Sequence, residues 1–285
     1  MRIVSTIAET RTAVRELRGK NYIYSIGFVP TMGALHAGHI SLVRAAKAQC
    51  DAAVVSIFVN PTQFGPNEDF AKYPRTWEAD CALLESEGVD LLFAPDAGEM
   101  YPAGASTFVD VEGVSDRLDG ASRPGHFRGV SSVVAKLFHI VTPDKAFFGQ
   151  KDAAQVAVLR RMIRDLDFAL ELVVCPIVRE ADGLALSSRN RYLLPKERRQ
   201  ALVLSRALRR VEEQASQGVV EAAALIEDAR SVFAEEPEVR LDYCRVVDPE
   251  TLEDMADISK GALVAVAAFV GTTRLIDNTV IAPRR

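Results

Sequence analysis

Residues 52–65 read AAVVSIFVNPTQFG, an apolar, β-branched run that passes directly into a polar turn. Ala52 to Val59 lacks the polar alternation of a half-exposed strand, so it reads as a strand covered on both faces. Pro61 and Gly65 then interrupt the pattern. On the amino side, His39 to Cys50 has helical spacing, with Leu42, Val43 and Ala46 on one face, and Ile23 to Val29 reads as another buried strand. An opening helix is predicted at Ile7 to Leu17, capped by Ser5 or Thr6.

On the carboxyl side the alternation continues. Helices are predicted at Trp77 to Glu87, Val130 to Val141 and Ala153 to Leu166, and strands at Val89 to Ala94, Thr107 to Val111, Lys145 to Phe148 and Leu170 to Val178. Strand, helix, strand repeated in this way makes an α/β fold, a parallel sheet with helices on both faces. After Glu180 the texture changes. A polar loop leads to Pro195, and charged amphipathic helices follow at Lys196 to Gln217 and Val220 to Ala234. Strands at Val239 to Val247, Ala262 to Val270 and Arg274 to Asn278 lack long intervening helices, which points to an antiparallel sheet. The expected organisation is a domain over residues 1–178 and a smaller C-terminal α+β domain over 179–285.

The chain has 285 residues and a formal charge of −5, from 39 acidic and 34 basic side chains. That balance argues against a general nucleic-acid binder, which needs a basic face, but leaves room for a local basic pocket around a phosphorylated ligand. An apolar content of 48% excludes a disordered chain. Ala262 to Val270, the longest apolar run, is about half of the ~18 residues that a membrane span needs. The opening MRIVSTIAETRTAV reaches Glu9 before any apolar core develops, unlike a signal peptide. Cys50, Cys81, Cys175 and Cys244 form no C-x-x-C pair and read as reduced thiols of a cytoplasmic protein.

Four polar clusters each follow a predicted strand: Pro30-Thr31-Met32-Gly33-Ala34-Leu35-His36-Ala37-Gly38-His39, Asn60-Pro61-Thr62-Gln63-Phe64-Gly65, Gly149-Gln150-Lys151-Asp152 with Gln155, and Arg179-Glu180 leading into Leu186-Ser187-Ser188-Arg189-Asn190. In a parallel sheet the carboxyl ends of the strands share one rim, and ligands bind there where the strand order reverses. His36 and His39 fall at a turn opening a helix, whose unpaired N–H groups favour anions. A nucleotide-phosphate site, a zinc pair and a pair of structural histidines all remain open from this motif alone. Lys151 suits a phosphate, and Ser187-Ser188-Arg189 offers two hydroxyls and a guanidinium fork. Gln63 and Gln155 suit a hydroxylated carboxylate without adding charge. Asp80 reads either as an exposed helical carboxylate or as one near Mg²⁺-bound phosphates. The loop Ser122-Arg123-Pro124-Gly125-His126-Phe127-Arg128-Gly129 reads as a second anion-binding edge or an interface loop.

The stretches FVPTMGALHAGH, IFVNPTQF, YPRT, SRPGHFRGV, PDKAFFGQKD and READGLALSSRNRYL, in this order, resemble the pantothenate synthetase (pantoate–β-alanine ligase) family of the nucleotidyltransferase superfamily. The resemblance runs from about residue 20 to Leu194. It implies a Rossmann-like nucleotide-binding catalytic domain, a C-terminal lid domain and a cytoplasmic homodimer. It also implies a two-step ATP-dependent reaction, in which pantoate is adenylated with loss of pyrophosphate and β-alanine then displaces AMP. By the same resemblance Met32 through His39, Gly149 through Asp152, Val178 and Leu186 through Arg189 hold ATP. His36, His39, Lys151, Ser187, Ser188 and Arg189 act in catalysis. Thr31, Met32, Gln63 and Gln155 face the organic substrates, and Asp80 stands beside Mg²⁺. One departure is Lys151-Asp152-Ala153-Ala154-Gln155, where the family commonly has Lys-Asp-Tyr-Gln-Gln; a tyrosine and a glutamine become alanines, which removes bulk from the wall behind the site.

Overall fold

The computed structural model describes residues 1–19, 25–66, 68 and 70–283. The elements run β1 (Arg2–Val4), α1 (Ile7–Gly19), β2 (Ile26–Thr31), α2 (Ala37–Gln49), β3 (Ala52–Ile57), α3 (Trp77–Ser86), β4 (Leu91–Phe93), α4 (Ala97–Met100), α5 (Asp119–Ser122), α6 (His126–Val141), β5 (Lys145–Gly149), α7 (Ala153–Asp165), β6 (Glu171–Cys175), α8 (Pro195–Gln217), α9 (Ala222–Ala234), β7 (Arg240–Val247), β8 (Ala262–Val270) and β9 (Thr273–Ile281). The chain divides into two compact units. One comprises Met1–Gly149 with Val158–Cys175, the other Gln150–Ala157 with Pro176–Arg285. A single break near Val178 is therefore too simple, because a short internal segment belongs with the C-terminal unit.

The first unit is built on a six-stranded sheet of order β1-β4-β3-β2-β5-β6. Every pairing in it is parallel. Parallel strands need both faces covered, and the apolar runs supply this: Phe28, Val54, Leu92, Phe93 and Phe147 are all fully buried. Each such side chain contributes about 1.5–3 kcal/mol through removal from water. The chain moves from β2 to β3 on one side and later to β5 on the other. The strand order thus reverses between β2 and β5, at whose carboxyl ends stand Thr31 and Gly149.

Two local expectations change. The three residues of β1 pair with β4, a strand too short to show a period in sequence. Thr107 to Val111 forms no strand. The Val109 N–H, which a ladder would have used, donates instead to Ser132 Oγ at 2.9 Å. Ile23, placed at the start of a predicted strand, lies outside the described residues.

In the second unit, β7, β8 and β9 form an antiparallel sheet with β8 in the centre. Helix α8 presents Ala201, Leu204, Leu208, Val211 and Ala215 at three- and four-residue spacing, and these share an apolar cluster with Leu225 and Phe233 of α9 and Val264 and Val266 of β8. Among the described residues no helix is long and apolar enough to cross a membrane. All four cysteines are free thiols; burial pushes that of Cys244 up to about 11.

Candidate active site

In the first unit, the turn after β2 is held by hydrogen bonds within itself, to β3 and to Asp80. Thr31 Oγ1 donates to the Ser56 carbonyl at 2.8 Å and accepts the Gly33 N–H at 3.2 Å. Gly33 and Ala34 both take positive φ, +80° and 51°. A Cβ on Gly33 would lie 3.1 Å from Asp80 Oδ2, so glycine answers both the dihedral and the close approach. Asp80 sits in the first turn of α3 with 3% exposure. Its Oδ2 accepts the Ala34 N–H at 2.9 Å, and its Oδ1 accepts the Leu35 N–H at 2.8 Å and the Thr76 hydroxyl at 3.0 Å.

Both Asp80 oxygens are therefore engaged by the turn. At the residue expected beside Mg²⁺, the structure shows a carboxylate that accepts three hydrogen bonds from the turn and from Thr76. Among the described residues no group of three or more His, Cys, Asp or Glu side chains could hold a metal ion. A Mg²⁺ that arrives on ATP needs only one or two carboxylates beside phosphate oxygens, so it does not depend on such a group.

The Asp80-clamped turn leads into α2, whose amino end is closed by its own histidines. His36 is the N-cap, and its Nδ1 accepts the Gly38 N–H at 3.1 Å. His39, three residues on, accepts the His36 N–H on Nδ1 at 3.3 Å. This is a reciprocal cap with imidazoles in place of the usual hydroxyl and carboxylate. The rings lie 4.1 Å apart, centroid to centroid. Because each Nδ1 accepts, the neutral rings carry their protons on Nε2. Two N–H donors thus stand at a helix amino end, where partial positive charge gathers.

Gln63 closes the same unit. It is 9% exposed and sits in the short turn Pro61–Gln63 after β3. Its Oε1 accepts Asn60 Nδ2 at 3.0 Å, and its Nε2 meets Met32 Sδ at 3.2 Å. Asn60 is oriented in turn by the Tyr101 hydroxyl, which donates to its Oδ1 at 2.8 Å. A thioether is a weak acceptor, so the Gln63 amide can pass to a carboxylate or hydroxyl oxygen with a net gain.

The Gln63 backbone is held as firmly. His126 bonds the Gln63 carbonyl through Nδ1 at 2.8 Å and Arg123 Nη1 through Nε2 at 3.0 Å. Arg123 in turn pairs both oxygens of Glu68, at 2.8 and 2.5 Å. The ring donates on Nδ1 and accepts on Nε2, so the partners fix its neutral tautomer. Burial, reinforced by the Arg123 charge, lowers the His126 pKa to about 4. Burial would raise the Glu68 carboxyl, but its bonds to Arg123 outweigh this and hold it below the ordinary range. In this loop, expected as a second anion-binding edge or an interface loop, the Arg123 fork is taken by the Glu68 carboxylate, while Arg128 lies over the Phe108 ring. Gly129 permits the arrangement: a Cβ there would strike the Thr62 carbonyl oxygen and come within 2.7 Å of Gln63 Cα.

In the second unit, Gln150–Asp152 form one helical turn before α7, and Lys151 Nζ lies 3.9 Å from Asp152 Oδ1. A Cβ on the preceding Gly149 would meet nothing within 4 Å. Gln155 lies in the first turn of α7, and the preceding Ala153 and Ala154 are buried. Val178 accepts the Leu186 N–H on its carbonyl at 2.9 Å, which folds residues 178–186 into a small hairpin. Ser187 Oγ then accepts the Arg189 N–H at 3.2 Å and caps the turn Ser188–Tyr192.

The first unit thus joins Thr31 through His39, Gln63 and Asp80 into one hydrogen-bonded cluster. The second carries Gln150 through Asp152, Gln155, Val178 and Leu186 through Arg189. Sequence reasoning gave no role to Tyr101, Asp277 or Asn278. Their bonds run between segments far apart in the chain, and no local pattern marks them.

A family model described as pantoate-beta-alanine ligase matches residues 2–280. The pantothenate synthetase of Acidobacterium capsulatum is 69% identical, over 99% of this chain and 97% of that protein. The crystal structure of the Thermus thermophilus pantothenate synthetase superposes with a TM-score of 0.94 at 50% identity, covering 99% of this chain and 100% of the other. That of the Francisella tularensis pantoate-beta-alanine ligase, complexed with beta-gamma ATP and beta-alanine, gives a TM-score of 0.81 at 34% identity over 98% and 97% of the two chains.

Proposed function

The chain belongs to the pantoate–β-alanine ligase family, and on that premise we propose how its residues divide the reaction. The enzyme condenses pantoate with β-alanine and ATP, giving pantothenate, AMP and pyrophosphate. A carboxylate oxygen of pantoate attacks the α-phosphorus, and the bond to the bridging oxygen of the β-phosphate breaks as pyrophosphate leaves. The β-alanine amine then attacks the acyl carbon of the pantoyl adenylate. The carbon–oxygen bond to phosphate breaks, AMP departs, and the amine gives up its proton.

The observation that carries the assignment is the reciprocal cap of His36 and His39. It sets both protons on Nε2 at a helix amino end, a preorganised donor pair for the charge that grows on phosphate oxygens during transfer. Met32 through His39, Gly149 through Asp152, Val178 and Leu186 through Arg189 are assigned to ATP. Lys151, Ser187, Ser188 and Arg189 join the histidines in catalysis, as cation, hydroxyls and guanidinium toward the phosphates. Gln63 is assigned to pantoate and β-alanine, and Gln155, Thr31 and Met32 to pantoate. Magnesium enters with the triphosphate as part of the nucleotide substrate, held chiefly by phosphate oxygens. A homodimer in the cytoplasm belongs to the same reading.

A pyrophosphate-release assay with and without each organic substrate tests it. Pyrophosphate release is expected to require pantoate but not β-alanine, and AMP release to require both. AMP release indifferent to β-alanine would identify a nucleotidyltransferase that stops at the adenylate.

A further inference from the structure

Two consecutive residues of β9 hold the two nucleotide-facing segments of the second unit. Asn278, 3% exposed, commits its whole amide to the turn that carries Lys151. Its Nδ2 donates to the Gln150 carbonyl at 3.0 Å and the Lys151 carbonyl at 2.9 Å, while its Oδ1 accepts Gln150 Nε2 at 2.9 Å. Asp277, 2% exposed at its side chain, takes the Arg179 fork on both oxygens, at 2.6 and 3.0 Å. Arg179 belongs to the hairpin that ends in Leu186 through Arg189, bridged to Ala185 across it.

The strand supplies the geometry. Its pairing with β8 runs without a register shift from Ala262↔Ile281 to Val270↔Thr273, so neighbouring side chains point to opposite faces. Odd positions look toward α8: Leu275 lies in the apolar cluster shared with α8, and the Thr279 hydroxyl bonds Glu212 of α8. Asp277 shares that face, and Asn278 takes the other. One rigid strand therefore reaches a separate segment from each face. The Asp277 carboxylate also accepts the Asn278 N–H at 2.8 Å, which links the two anchors through the backbone.

We propose that Asp277 and Asn278 are positioning residues for the nucleotide site: Asn278 sets the turn that aims Lys151, and Asp277, through Arg179, sets the hairpin that delivers Ser187, Ser188 and Arg189. Neither touches substrate. The proposal rests on the assignment of Lys151 and the Ser-Ser-Arg segment to ATP. Without the Asn278 amide, the carbonyls of Gln150 and Lys151 lose their donors, and the turn can relax toward water.

The test uses the full chain and the pyrophosphate-release assay. Asn278→Ala is expected to raise the KM for ATP about tenfold, the scale of one or two lost hydrogen bonds, with the KM for β-alanine within about twofold of wild type. Asn278→Ser, which keeps one hydroxyl donor, is expected to fall between the two, and it carries the test if the alanine variant does not fold. Ile276→Ala, on the same strand face but with no bond to the turn, controls for damage to the sheet: its melting temperature is expected to fall while its KM for ATP stays. An unchanged ATP KM in the Asn278 variants, or an equal rise in Ile276→Ala, overturns the proposal. Lys151→Ala separates the two levels. If it raises the ATP KM while the Asn278 variants do not, positioning fails and the nucleotide assignment stands; if it leaves the ATP KM unchanged, the assignment itself fails.

Discussion

Asp80 accepts the Leu35 N–H at 2.8 Å across 45 residues of sequence. That bond, with its neighbour to Ala34, ties the first turn of α3 to the turn that delivers the paired histidines. A carboxylate in this setting is a receptor for backbone N–H groups, and its oxygens hold Ala34, a non-glycine residue at positive φ, in place.

Asp80→Asn is expected to cost about 1–3 kcal/mol of stability, because an amide keeps one acceptor oxygen and turns N–H groups against the remaining donors. Its KM for ATP should rise, and raising Mg²⁺ should not restore it. Urea unfolding and a Mg²⁺ titration of the variant check both. Recovery at high Mg²⁺ would place Asp80 beside the metal.

His39→Ala removes one donor at the developing phosphate charge and one half of the cap. Adenylation is expected to slow by roughly 10²–10³-fold, while stability falls by only about 1 kcal/mol, the scale of a lost cap. Single-turnover pyrophosphate release and thermal unfolding on the same preparation measure the two effects. A rate near that of wild type would remove His39 from the chemistry.

His126 supplies a pH signature. In the folded chain its pKa is about 4, from burial first and the Arg123 charge second, against an ordinary value of 6.5. Between these values the unfolded chain binds the proton and the folded chain does not, so stability falls as pH drops from 6.5 toward 4. The loss attributable to this ring is about 3 kcal/mol. His126→Asn, which keeps a donor for the Gln63 carbonyl but does not titrate, should lose correspondingly less over the same range. Denaturant unfolding of both proteins across the range decides it; parallel curves would remove the ring from the acid response.

The frame of the molecule was legible wherever pattern and structure share one length scale. AAVVSIFV became β3, and Ala262 to Val270 became β8 without a change of boundary. RIV at positions 2–4 was too short to carry a period, and residues 107–111 have strand-like composition but surrender an N–H to the Ser132 hydroxyl. The site divides along the same line. His36 and His39 lie three residues apart, with glycines to mark the turn. Asp80 looks like any solvated helical carboxylate until its partners 45 and 46 residues away are known. Asn278 reaches Gln150 across 128 residues, beyond any local signal.

The covalent path passes between the two compact units three times, after Gly149, after Ala157 and after Cys175. No single cut of the polypeptide can therefore release either half whole. A fragment ending at Val178 would retain Lys151 yet lack β9, leaving two backbone carbonyls without the amide that meets them. For anyone grafting this C-terminal half onto a relative, residues 150–157 have to travel with it, so a swap of interchangeable cassettes needs two splices inside the parental amino-terminal part.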